Sequence, residues 1–218
     1  MQMKINIQTS HPSAFISSTF ADLQAERLAV ANMLRENGLN VNALDIKPAS
    51  TNSSKQEIIA GIKESDFIIL IIGDRFGSIL KSMTGNLNSS ITQWEYKIAK
   101  SMKRPVVAFF KQFDEAHPIG HDDINASDYK KKRQIFEHFK KTVADAHNPA
   151  YFKDSAELAS KVRAALIPTY RNVARAVLGQ GESYEKRIAE LEAEVSLLKS
   201  QQVNRRDSGN ILGGLGVK

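Results

Sequence analysis

The sequence contains no cysteine, and a single tryptophan serves all 218 residues. Without thiols, neither a disulfide framework nor a thiolate metal site can form. Long hydrophobic runs are missing as well. The longest apolar stretch, "FIILII" at Phe67–Ile72, is far too short to span a bilayer. The opening "MQMKINIQTSHPSA" lacks the apolar core of a signal peptide. A soluble, cytoplasmic protein with no membrane partner is therefore expected. No long block of one charge sign is present either. The formal net charge of +6 permits a nucleotide ligand, but nothing in its distribution calls for nucleic acid. No GxxxxGK[ST] loop occurs, and no serine or cysteine hydrolase motif.

What is present is an ordinary globular composition, 42% hydrophobic and 25% charged. Its clearest pattern is strand–helix alternation. "AFIS" at Ala14–Ser17 is a short apolar run, followed by "STFADLQAERLAVANMLRENG". There Phe20, Leu23, Val30 and Leu34 recur near helical spacing, and Gly38 supplies a stop. "LNVNALDI" at Leu39–Ile46 reads as the next strand, and a helix is expected from about Lys55 to Glu64. Phe67–Ile72 is apolar at every position, which suits a strand buried on both faces of a parallel sheet. After the loop "GDRFGSILKSMTGNLNSS" come a helix around Glu95 and a fourth strand in "RPVVAFF". This order predicts an α/β fold with an open, doubly wound parallel sheet. Ligands of such sheets bind beyond the carboxyl ends of the strands. The relevant loops are then Ser17–Thr19, Lys47–Ser54, Gly73–Ser90 and about Lys111–Asp123.

Beyond Ile124 the pattern is helical. One helix carries Ile135, Phe136, Phe139 and Val143 on one side, with Lys130–Arg133, Lys140 and Lys141 read as a solvated outer face. A second has a cap at Asp154 or Ser155 and a Leu158, Val162, Leu166 face. From Tyr184 the apolar positions run Tyr184, Ile188, Leu191, Val195 and Leu198, at spacings of four, three, four and three. That is a heptad seam with β-branched a positions and leucine at d, the choice that favours a parallel two-stranded coil and hence a homo-oligomer. The expected organisation is an extension over 1–13, the α/β domain over 14–168, a connecting helix over 169–181, a coiled coil over 182–203 and a flexible Gly-rich tail over 204–218.

Candidate site residues come with a local explanation beside the functional one. Thr19, three residues before Asp22, has capping-box spacing. The same helix start, with Ser17 and Ser18, could instead bind ribose or phosphate. Arg75, in "GDRFG", could hold a phosphate or pair with Asp74. Glu95 follows a cap at Ser90 or Thr92 on a helix whose apolar side is Ile91, Trp94, Ile98 and Met102. There a carboxylate either gains from the helix dipole or faces a ligand. His117 and His121, beside Asp122 and Asp123, share a loop with Pro118 and Gly120, so no helical face aligns them and no metal is expected.

Three segments, "AFISSTFADLQAERLAV", "SDFIILIIGDRFGS" and "SITQWEYKIAKSMKRPVVAFF", resemble in order the motifs of a TIR-like domain-of-unknown-function family. "FEHFKKTVADAHNPAYFKDSAELASKVRAAL" resembles its helical end, so the likeness covers about Ala14 to Leu166. In many members of that family the domain precedes a NACHT-type or related STAND ATPase. The resemblance implies a flavodoxin-like, TIR-type fold, related to TIR domains and nucleoside deoxyribosyltransferase-like proteins, which cleave N-glycosidic bonds with a helix-borne glutamate. Thr92, Glu95 and Ala99 match the transferase-like spacing, whereas Trp94 lies closer to the glutamate than in TIR domains. The resemblance thus implies Glu95 as the catalytic carboxylate, with Ser17, Ser18, Thr19, Arg75, Thr92 and Trp94 at a nucleotide. NAD is the implied substrate rather than a cofactor, and defence signalling with a STAND-type ATPase or another defence protein is the implied setting. A non-enzymatic oligomerisation module and a nucleoside N-glycosidic transferase or hydrolase are the alternatives.

Overall fold

The computed structural model describes residues 12–42, 53–113 and 127–211. Its sheet has five parallel strands: β1 (Ser13–Ser18), β2 (Asn40–Asn42), β3 (Phe67–Ile72), β4 (Val106–Lys111) and β5 (Ala150–Phe152). They lie in the order β2-β1-β3-β4-β5. The helices are α1 (Gln24–Glu36), α2 (Ser54–Glu64), α3 (Lys81–Thr84), α4 (Ile91–Ser101), α5 (Tyr129–Ala146) and α6 (Ser155–Ile211). The doubly wound α/β expectation is met. Register runs evenly, with Ile16 beside Ile69 and Ile69 beside Val107.

Strand alternation sorts the core onto two faces. Ala14, Ile16, Phe67, Ile69, Ile71 and Phe109 point to one side, where Val30 and Leu34 of α1 and Leu158, Val162 and Leu166 of α6 cover them. Leu70, Ile72, Ala108 and Phe110 point to the other, under Tyr96, Phe136 and Val143. Phe15 and Ile68 pack there with Ile58 and Ile62 of α2 and with Ala99 of α4. Every residue of β3 is buried. At about 1.5–3 kcal/mol for each fully buried large side chain, this central strand is a principal source of stability.

Several local expectations change. Helix α1 begins at Gln24, after Leu23, with no side-chain cap. Thr19 Oγ1 bonds Asp22 Oδ1 side chain to side chain, so Thr19 is not the cap of α1. Phe20 precedes the helix and is 54% exposed, not part of the apolar stripe. "AYF" at Ala150–Phe152, expected within a helical region, forms β5 beside β4, and Phe152 is fully buried. Asp154 Oδ1 then accepts from the Glu157 N–H at 2.8 Å, capping α6.

Helix α6 continues through Pro168 and Gly179 to Ile211, where separate helices and a tail from 204 were expected. Proline removes one backbone hydrogen bond. The flanking Ala, Leu, Glu, Lys and Arg residues are strong helix formers that carry the helix across. The chain divides after Val173 into two compact units, 1–173 and 174–218. The Lys47–Asn52 part of the second expected ligand loop, most of the fourth, and His117, His121, Asp122 and Asp123 lie outside the described residues.

Candidate functional site

In the strand order β2-β1-β3-β4-β5, the chain winds to one side of β1 and then returns to the other. The resulting crevice opens at the carboxyl ends of β1 and β3, the ligand position of doubly wound sheets. Three segments build it: the end of β1 with the following turn, the loop after β3, and the first turns of α4.

Serines begin the construction. Ser90 caps α4 through a reciprocal box, its Oγ accepting from the Gln93 N–H at 3.3 Å while Gln93 Oε1 accepts from the Ser90 N–H at 3.3 Å. The Ile91 N–H donates to Ser78 O at 3.0 Å, tying α4 to the loop after β3. These bonds occupy first-turn donors that an anion would need. Ile91, Thr92 and Glu95, at i, i+1 and i+4, then face one cavity. Ala99, fully buried one turn beyond Glu95, packs with Phe15 and Ile68, so α4 lies close to the sheet.

Glycines allow the loop after β3 to close on the turn after β1. A Cβ at Gly73 would lie 2.6 Å from Asp22 Oδ2. Gly77 has φ +87°, and a Cβ there would lie 2.8 Å from Thr19 Cγ2. Asp74 is fixed from α5, where Arg133 donates to its carbonyl at 2.9 Å and to its carboxylate at 2.7 Å. Arg133 is thus a structural clamp rather than part of a solvated lysine face. Glu26 of α1 is buried and pairs with Lys111 at the end of β4, at 2.6 Å.

The cavity holds about 370 Å³ and is lined by Ile16, Ser18, Thr19, Phe20, Arg27, Ser78, Ile91, Thr92 and Glu95. That is within the usual volume of small-molecule sites, and six polar or charged side chains line it beside the apolar Ile16, Phe20 and Ile91. Glu95 is 6% exposed, and its Oε2 accepts from the fully buried Ser17 hydroxyl at 2.5 Å. Such a short O–H···O⁻ bond fixes the carboxylate's orientation. Arg27 is also buried and donates from Nη1 to Ser18 Oγ at 2.8 Å.

The structure therefore brings together Ser18, Thr19, Thr92 and Glu95, with Ser17 directed at the glutamate. Arg75 lines a smaller neighbouring hollow with Thr19, Gly73, Ser90 and Thr92. Trp94 packs in the apolar cluster of Phe15, Ile58 and Met83. Phe20, Arg27 and Ser78 had no ligand role in the sequence reading. For Arg27 the available signal was its place in the "LQAER" segment that follows β1. Ile188, Leu191 and Val195 of the heptad seam are exposed, while the side chains of Tyr184 and Leu198 lie outside the described set. Among the described residues no cluster of metal-ligating side chains occurs, and no helix is long and apolar enough to cross a membrane.

Fold and crevice together define a doubly wound α/β protein with a carboxylate-bearing cavity at the carboxyl edge of its sheet. The chain belongs to the family described as "Domain of unknown function (DUF4062)", which matches residues 13–167. A search of curated proteins finds no match. Among solved structures, similarity is found to the CMP N-glycosidase BcmB of Clostridium botulinum, at 12% identity and a TM-score of 0.38. That alignment covers 69% of this chain and 98% of the other. The TIR domains of the activated Roq1 resistosome, which recognises the pathogen effector XopQ, align at 16% identity and a TM-score of 0.35. There the coverage is 62% of this chain and 71% of the other. Neither likeness bears on the chemistry of the cavity.

Proposed function

We propose that this cavity binds a nucleotide and supports cleavage of its N-glycosidic bond, with NAD the first substrate to test. One observation carries the reading: a buried carboxylate, held by a buried serine, faces a ligand-sized cavity that also contains an arginine and an exposed aromatic ring. Glu95 would stabilise the positive charge that develops at the anomeric carbon. In hydrolysis the C1′–N bond breaks, its electron pair leaves with the base, and a water oxygen adds to C1′ while its proton passes to solvent. Phe20 would pack on a ring of the ligand, and Arg27 with Ser18 would hold an anionic group. Arg75 would reach a phosphate extending beyond the main cavity. The family resemblance implies a defence setting in which the domain answers to, or acts beside, a STAND-type ATPase.

The test measures NAD loss and nicotinamide release by the purified full chain at high concentration, beside Glu95→Gln and Arg27→Met. A panel of nucleosides and nucleoside monophosphates is run in parallel. Turnover that is lost in Glu95→Gln with unchanged melting temperature, and weakened mainly through KM in Arg27→Met, supports the reading. Turnover of a nucleoside but not of NAD keeps the site and replaces the substrate. Turnover unaffected by Glu95→Gln overturns the assignment. Absence of turnover and of ligand binding across the panel favours a non-enzymatic interaction module.

A further inference from the structure

The helical unit beyond residue 174 carries an apolar seam that the nucleotide reading does not use. Ile188, Leu191 and Val195 are 54%, 43% and 49% exposed, and with Glu192 and Ser196 they line an open groove along α6. Large apolar side chains at regular spacing on one helix face mark a contact surface. We propose that this face docks on a second copy of the chain as a parallel, in-register two-stranded coil whose alignment is set by two charge pairs.

The occupant follows from the charges that flank the seam. With Ile188 and Val195 at a, and Tyr184, Leu191 and Leu198 at d, the g positions are Arg187 and Glu194 and the e positions are Glu185, Glu192 and Lys199. In a parallel coil each g residue meets the e residue of the next heptad on the other helix. Arg187 then meets Glu192 of the second copy, and Glu194 meets Lys199. Both pairs attract, and two-fold symmetry makes each of them twice.

Other arrangements fare worse. A one-heptad slip sets Arg187 of one copy against Lys199 of the other and Glu194 against Glu192, two repulsions set against one attraction, of Arg187 to Glu185. An antiparallel coil pairs e with e and g with g. With Leu191 layered on Val195, that brings Glu192 against its own counterpart and Glu194 against its own. The β-branched a positions and leucine d positions independently favour the parallel dimer. Within one chain Arg187 bonds Glu190 at 3.0 Å, but this exposed pair is weak and Arg187 can turn to the second helix. Two to three heptads form a marginal coil, so association is expected to depend on concentration.

The absence of native cysteine makes the geometry directly readable. Leu191→Cys and Leu198→Cys, introduced separately into the full chain, are oxidised and resolved without reductant. In a parallel in-register coil each cysteine meets its own counterpart, so both variants give covalent dimers. In an antiparallel coil the two positions, one heptad apart, cannot both do so. Sedimentation equilibrium at low salt provides the second arm. Arg187→Glu turns two attractions into two repulsions, and is expected to raise the dimer Kd by about tenfold or more. Adding Glu192→Lys to it restores the pairs and should recover most of that loss. A chain that stays monomeric at all concentrations, an assembly indifferent to Val195→Asp, disulfide formation at one position alone, or a double variant no tighter than Arg187→Glu each overturns the proposal.

Discussion

Ser17 offers the sharpest test of how the cavity is built. Its side chain is fully buried at the end of β1, and its hydroxyl donates to Glu95 Oε2 at 2.5 Å. Replacement by alanine deletes one oxygen and leaves the carboxylate short of a donor in a site where it is 6% exposed. Hydrogen bonds to charged groups contribute about 1.5–3 kcal/mol. For a chain of this size, about 1 kcal/mol shifts the melting temperature by roughly 2–4 °C, so Ser17→Ala should melt about 3–12 °C lower.

A double-mutant cycle in thermal or denaturant unfolding separates this bond from a general packing effect. Ser17→Ala, Glu95→Ala and the double variant are compared with the parent. If the loss arises from the missing bond to the carboxylate, Ser17→Ala should cost little once Glu95 is alanine. The coupling should then be about 1.5–3 kcal/mol. Additivity within about 0.5 kcal/mol would refute the idea that Ser17 serves Glu95, and would leave it as a small core residue. Ligand binding supplies an independent readout, because loss of a positioning serine should weaken affinity in the parent background and have no effect beside Glu95→Ala.

Two further outcomes test the surroundings. Gly77→Ala forces a left-handed φ of +87° on an L-residue and places its Cβ 2.8 Å from Thr19 Cγ2, so a loss of at least about 1–2 kcal/mol is expected, with weaker ligand binding. A variant as stable as the parent would mean that the loop does not need this close approach. His147 packs edge-on against Tyr96, with Nε2 3.1 Å from the phenol oxygen. Burial, and secondarily the charge of Lys100, hold its pKa below the ordinary histidine value of 6.5. The unfolded chain then binds the extra proton first, so this group favours folding above about pH 6.5. Its contribution is lost as pH falls from there through the folded pKa. Melting curves at pH 7.5 and 5.5 should show a larger acid loss in the parent than in His147→Gln, and equal losses would contradict this account.

How much of this could be read from residues alone depends on whether the local pattern had one structural meaning. Phe67–Ile72 was legible because unbroken apolarity over six positions satisfies both faces of a central strand, and all six are buried. The start of α4 was legible because Ser90 and Gln93 form a box that closes within one turn. Thr19 and Asp22 have the same kind of spacing, yet they bond each other before the helix begins. The competing force is tertiary: Gly73 and Gly77 bring another loop against that turn. Moving the helix start to Gln24 takes Phe20 out of the core stripe and places it at the cavity. Arg27 shows the same limit from the opposite direction. On a helical wheel it is one charge among several, and it reaches the cavity because it bonds Ser18 at the end of β1 and lines the same hollow as Ser78 of the loop after β3. Local sequence rules therefore locate the elements that carry Glu95 and Arg27, whereas the convergence of the two side chains on one cavity is set by strand order, which no window of neighbouring residues encodes.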